Sequence, residues 1–419
     1  MKVHPASSRL VTSMQPSTTM RRGILLGLAL TALSIALHFA PIWVTMLNRG
    51  PVTWDGQPLA QDLIAHIIEE HRAGSDMSFR RRPLTTWCVD ALTTLGLSPK
   101  IAFVSLGFGL FLVCGLLVRR IARLLSSTDQ QADIAQAAFH LSPTVLCAWF
   151  EPMYTYDEPL QYVAFLIAFA AAWQGRVALA SIAMAVSLIA HETSLFLLPA
   201  FLAIPRLSRN ARWILMLAPA LLFALFLIIF LPTARLVEHS ANDAVARLGT
   251  AAFNFSSWAM AGETLGYALI VLLVPVVLLW RSAASASEDQ RRLLRAFWIA
   301  LIVNSLAVLV AAKAREARVF ALPLLIAWPL LGWVLTDALV RRGGWRLLLA
   351  PLRKPLPAVL FSIAAAGIYM LTRAVFLLST NVAGDNLWHE FLALHISAIA
   401  LLSWRAGSRP LPAKLEVPS

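Results

Sequence analysis

The chain is 419 residues long, 59% of them apolar and only 14% charged, with a mean hydropathy of +0.71. Soluble domains keep nearer half of their residues apolar and about a quarter charged, so a water-soluble globular fold is excluded for the bulk of the chain. The net charge of +13 belongs, in a chain this apolar, to basic loops that anchor helices on the cytoplasmic side of a membrane rather than to nucleic-acid contacts.

The three cysteines give no disulfide framework and no zinc knuckle: Cys88 lies in a polar loop, Cys114 and Cys147 in apolar runs, with no paired spacing. Lys2, Arg9, Arg21 and Arg22 precede an apolar run that continues to Met46 without a small-residue cleavage site. That run reads as a retained first span (23–47) rather than a signal peptide.

The loop that follows, 48–100, is the longest polar segment. Within it Leu59, Leu63, Ile64, Ile67 and Ile68 recur at helical spacing opposite Asp62, Glu69 and Glu70, and Leu84, Trp87, Val89 and Leu92 form a second series. The pattern predicts two short amphipathic helices on the bilayer surface. A second span (101–118) stops at the basic run Arg119 to Arg123, a third (131–149) delivers Glu151 to Pro159, and a fourth (159–173) ends at Arg176.

The run 177–205 is too long for one crossing and short for two, and both flanks are basic. A pair of short helices meeting at His191-Glu192 satisfies both facts. Further spans follow at 213–231, 265–280, 296–312, 319–339, 356–378 and 389–404, separated by polar connectors. The expected fold class is therefore an all-α polytopic membrane helix bundle of about 11–12 transmembrane helices. It has a cytoplasmic tail at 1–22, a membrane domain at 23–404 and a cytoplasmic tail at 405–419. This topology puts most basic residues inside and most acids outside, although acids follow no strong orientation rule.

Four groups of residues carry candidate chemistry. Asp55, in Trp54-Asp55-Gly56-Gln57 at the outer end of the first span, suits a general base for a hydroxyl nucleophile, or else a solvated Asp-Gly turn. Tyr154, Tyr156, Asp157 and Glu158 offer acids and phenols for sugar hydroxyls or a divalent cation, while Asp157 before Pro159 equally suits a helix N-cap. His191-Glu192 is ionisable inside an apolar run, which marks a functional site or a buried pair fastening helices to Arg315, Arg318 or Arg373. Arg80-Arg81-Arg82 and Arg315-Glu316-Ala317-Arg318 are basic clusters on the outer face, suited to a lipid phosphate or to anionic lipid. No phosphate loop and no dinucleotide fingerprint occurs.

Taken together, the acid near the start of a long first outer loop, Arg81-Arg82-Pro83-Leu84 before the second amphipathic helix, Tyr156-Asp157-Glu158-Pro159, and His191-Glu192-Thr193 followed by Leu195 to Pro199 resemble the GT-C superfamily. These are integral membrane glycosyltransferases that use polyprenyl-phosphate sugars, and the likeness in layout covers roughly residues 20–340. The resemblance implies a catalytic acid at Asp55, with Asp62 as the weaker candidate, and His191-Glu192 where the family carries Arg-Glu. Read from the residues themselves, substrate contacts are expected from Arg81, Arg82, Tyr154, Tyr156, Asp157, Glu158, His191, Glu192, Arg315, Glu316 and Arg318.

The expectation that follows is transfer of a sugar from a polyprenyl-phosphate-linked donor to a glycan or lipid acceptor on the periplasmic face of a bacterial inner membrane. Membrane lipids are partners, nucleic acid is not, and a divalent cation is a candidate cofactor. The alternatives are a transporter or flippase for a lipid-linked sugar and a polysaccharide polymerase or ligase.

Overall fold

A computed structural model describes residues 18–36, 63–73, 81–142, 145, 156–204, 207–230, 249–312, 320–337 and parts of 355–370. Among these residues every regular element is helical. In chain order they are α1 (Thr18–Ser34), α2 (Leu63–Ala73), α3 (Leu84–Thr94), α4 (Pro99–Leu124), α5 (Asp129–Leu141), α6 (Glu158–Trp173) and α7 (Val177–Ala190). A 3-10 helix (Glu192–Ala203) follows, then α8 (Arg209–Phe230), α9 (Trp258–Ser282), α10 (Glu288–Ala311) and α11 (Leu324–Leu335).

Helix starts are written in the sequence. Ser98 caps α4 ahead of Pro99, and Ser257 caps α9. Thr128 with Gln131 and Ser287 with Gln290 form capping boxes on α5 and α10. The α6–α7 hairpin turns at Gly175, whose φ of 76° lies in the left-handed region. Gly175 N donates to Ala172 O and Arg176 N to Ala171 O, the paired bonds of a Schellman cap.

Three helices, α4, α8 and α10, are long and apolar enough to cross a membrane, and a bent pair within 260–285 makes a fourth if it is one span. Helices α6, α7 and α11 and the 3-10 helix are apolar but shorter. Of the expected 11–12 spans, three or four are thus found by length and composition among the described residues, and the expected span 389–404 lies outside them. A 3-10 helix rises about 2.0 Å per residue against about 1.5 Å for an α-helix. The 12-residue 3-10 helix and the 16-residue α6 therefore have matching lengths of about 24 Å each.

Helix α8 leaves Trp213, Ile214, Leu217, Leu221, Leu225 and Ile228 about half exposed or more. A continuous apolar face of that length is costly in water and at home in hydrocarbon.

The helices alternate in direction. Arg119 near the end of α4 donates to Asp133 near the start of α5, at 2.9 Å, and Arg22 at the start of α1 pairs with the same carboxylate at 2.7 Å. At the other end Ser34 donates to His140 O. One end of the bundle therefore carries Arg22, Arg119 and Arg123, with Arg212, Arg292 and Arg295 by continuation through α6 to α10. The opposite end carries Tyr156 to Glu158, His191 and Glu192.

Two expectations need correction. The basic run Arg119 to Arg123 does not end the second helix but lies within α4, which continues to Leu124; Arg119 is buried because Asp133 neutralises it. The two amphipathic segments are helices, α2 and α3, yet Ile64, Ile67, Ile68 and Val89 turn into the protein core rather than onto a bilayer surface. Trp87 stays half exposed and meets Phe230 of α8 edge to face.

Candidate functional site

The site is built where α3, α6 and the α7 break meet. Arg82 sits two residues before α3. Its Nε and Nη2 donate to Glu192 Oε2 and Oε1, each at 2.7 Å, a bidentate fork across 110 residues of sequence. Its Nη1 lies 4.0 Å from Asp157 Oδ2. The carboxylates around it, Glu192 first, raise the Arg82 pKa still further, against the opposing effect of burial.

Asp157 is 2% exposed. Burial pushes its carboxyl well above the ordinary carboxylate range and Glu158 adds to the rise, while Arg82 opposes it. Asp157 occupies the N-cap position of α6, but its side chain makes no capping bond. The expected capping role is thereby corrected: the carboxyl serves the Arg82 cluster instead, and Oδ1 has no hydrogen-bond partner among the described residues. A buried carboxyl lacking part of its hydrogen bonding is costly as an anion, which is the physical cause of the upward shift.

Tyr156 is buried in a sandwich. His71 stacks on its ring at 3.8 Å and Phe103 at 5.3 Å, and its hydroxyl lies 3.2 Å from Thr86 Oγ1. Burial raises its phenol pKa, so it is a neutral group that holds α2, α3 and α4 around the site.

The break between α7 and the 3-10 helix falls at His191, whose backbone is extended (φ −157°, ψ 121°). Its Nδ1 accepts from Thr193 N at 3.3 Å, capping the 3-10 helix. With Nδ1 as acceptor the neutral ring carries its proton on Nε2, which faces Glu158 Oε1 at 3.8 Å. Gln161, one turn into α6, donates to Thr193 Oγ1 at 2.9 Å and Ser194 Oγ at 2.8 Å, and Ser187 Oγ donates to Gln161 O. This polar knot fixes the break against α6.

Beside the knot lies a cavity of about 80 Å³. Its polar lining is Glu158, Gln161, Tyr162, His191, Thr193 and Asn304. At about 30 Å³ per water, it holds roughly two or three water molecules or the hydroxyl edge of a larger ligand. A carboxylate, two carboxamides, two hydroxyls and an imidazole supply both donors and acceptors for hydroxyl groups. No group of three or more His, Cys, Asp or Glu with metal-binding geometry occurs among the described residues.

Of the sequence candidates, Arg82, Tyr156, Asp157, Glu158, His191 and Glu192 therefore come together. Arg81, next to Arg82 in the chain, is half-buried. Asp55, Asp62, Tyr154, Arg80, Arg315, Glu316, Arg318 and Arg373 lie outside the described residues. Gln161 and Asn304 were not singled out. Each is a carboxamide in an otherwise apolar helical run, and Asn304 is 1% exposed. Their signal is the cost of placing an amide in hydrocarbon without partners.

Comparison with protein-family models, with characterised proteins and with solved structures finds no match to this chain.

Proposed function

We propose that this chain is an integral membrane glycosyltransferase that moves a sugar from a polyprenyl-phosphate donor to a hydroxyl of a glycan or lipid acceptor. The reaction would take place at the non-cytoplasmic end of the bundle, in a bacterial inner membrane. The observation that carries the reading is the convergence of Arg82, Asp157, Glu158, His191 and Glu192 beside a polar cavity, from segments far apart in sequence. Buried ionisable groups at one end of a helical membrane chain are costly and mark function.

In this reading Glu158, Gln161, His191 and Asn304 hold sugar hydroxyls. Arg82 is a positioning residue, because its fork is occupied by Glu192. Asp55 accepts the proton of the acceptor hydroxyl as the new carbon–oxygen bond forms at the anomeric carbon. The bond from that carbon to the lipid phosphate breaks, and the phosphate leaves on the polyprenol. The leaving phosphate falls to Arg81, Arg315 and Arg318. A divalent cation would need ligands beyond those the described residues group together.

The test is transfer in proteoliposomes. The full chain is reconstituted with a polyprenyl-phosphate sugar radiolabelled in the sugar, and label is followed onto acceptor. Asp55→Asn is expected to abolish transfer, and Glu158→Gln to raise KM for the donor or acceptor. Full transfer by Asp55→Asn would remove the assignment of the base.

One observation favours a second reading, a transporter or flippase of the lipid-linked sugar. The helix break at His191 beside buried charges is a feature of discontinuous transporter helices. Label that crosses the vesicle membrane while still attached to its lipid would favour it over transfer.

A further inference from the structure

At the end of the bundle opposite the polar cavity, a concavity of about 260 Å³ is lined by Leu202, Ala203, Arg212, Arg292 and Arg295. Three guanidinium groups from two helices thus face one space. Like charges separate in water unless a counter-charge holds them, and Glu288 is already bonded to Arg292 at 2.8 Å. Arg212 Nε is buried with no hydrogen-bond partner among the described residues.

The backbone adds to the same field. Arg212 lies in the first turn of α8 and Arg292 in the second turn of α10, so the positive ends of both helices flank the concavity. The C-terminal residues of the 3-10 helix, Leu202 and Ala203, form its apolar floor. From Arg212 the exposed apolar face of α8 leads away along the helix through Trp213, Leu217 and Leu221. A charged head held at the concavity would lay its tail on that face, with Trp213 at the interfacial level where such rings gather.

We propose that Arg212, Arg292 and Arg295 form a binding site for the phosphate headgroup of an anionic diacyl phospholipid. The planar guanidinium fork matches phosphate oxygens, and the apolar face next to it selects a lipid over a free anion. The site rests on the membrane reading of α8 and is independent of sugar transfer.

The test uses the delipidated full chain in detergent, titrated with phosphatidylglycerol or with phosphatidylcholine of the same acyl chains, and read by native mass spectrometry. Phosphatidylglycerol is expected to bind at least about tenfold more tightly. Losing charge-assisted hydrogen bonds in the Arg212→Gln/Arg295→Gln variant should weaken it by about tenfold or more, with phosphatidylcholine unchanged. Arg291→Gln removes an equal charge outside the concavity and should leave affinity intact. Arg295→Gln alone, an exposed position, guards against a folding artefact and should show a partial loss. Equal affinity for both lipids overturns the proposal, as does an equal loss in Arg291→Gln. Inorganic phosphate that displaces the lipid at sub-millimolar concentration also overturns it, in favour of a free anion.

Discussion

Replacing Arg82 by Gln should destabilise the protein more than replacing Glu192 by Gln, although the two side chains share the same pair of hydrogen bonds. Both are mostly buried, with side-chain exposures of 16% and 18%. Breaking a buried pair by removing one partner costs about 3–5 kcal/mol. The surroundings split the two outcomes. In Glu192→Gln the guanidinium keeps Asp157 at 4.0 Å, and that carboxyl can ionise to compensate. In Arg82→Gln both Glu192 and Asp157 lose the guanidinium they share, so the upper end of the range applies.

The assay is thermal unfolding in detergent of the two single variants and the double variant. The cycle should give a coupling of about 1–3 kcal/mol, and the double variant should be less unstable than the sum of the singles. Acid should rescue Arg82→Gln in particular. The buried Asp157 carboxyl already has a folded pKa above its unfolded one, and without Arg82 the contact that opposes this rise is gone. The Asp157 penalty is therefore absent below about pH 4 and grows as pH rises towards the folded value. Additive single effects, or equal losses in the two single variants with no acid rescue, would refute the reasoning.

Asp157→Asn should be neutral or stabilising at pH 8, since the raised folded pKa makes ionised Asp157 a net penalty there; melting against pH should be flatter than in the parent. Gly115→Ala should destabilise by about 1–3 kcal/mol, because a Cβ at Gly115 would collide with the buried His140 ring; thermal melting reads it. Gly332→Ala should behave alike, its Cβ meeting the α5 backbone at Gln131. Asp133→Asn should cost about 3–5 kcal/mol, since among the described residues it leaves buried Arg119 with the more distant Asp129, and Arg119→Met in the same background should recover part of the loss.

Composition and helical periodicity make the helical class readable from sequence, and capping residues such as Thr128 and Ser287 mark helix starts. The interruption at His191-Glu192 is readable too, because two charged or polar residues in an apolar run demand partners. The partner is not readable. Arg82 joins Glu192 through a contact with no local pattern, and its neighbours Arg80 and Arg81 have the same composition. The 3-10 geometry after Glu192 is equally silent in the residues. It shows only afterwards, when Ser194, Leu197 and Ala200 fall in one fully buried row at a three-residue period. The N-cap alternative for Asp157 is right in position but not in side chain, because the cation near its carboxyl comes from another segment.

The Arg82–Glu192 fork also bears on the order in which the molecule assembles. At about 5–20 residues per second of synthesis, Arg82 emerges roughly 5–20 s before its partner, with 110 residues between them. During that interval α2 to α7 have no carboxylate from the 3-10 helix to hold the guanidinium. The non-local closure must await the 3-10 helix. A chain cut short after α7 would therefore lack the Arg82–Glu192 fork and keep α3 by its other contacts, such as those to α4 and Tyr156, whereas one that reaches Ala203 carries the catch.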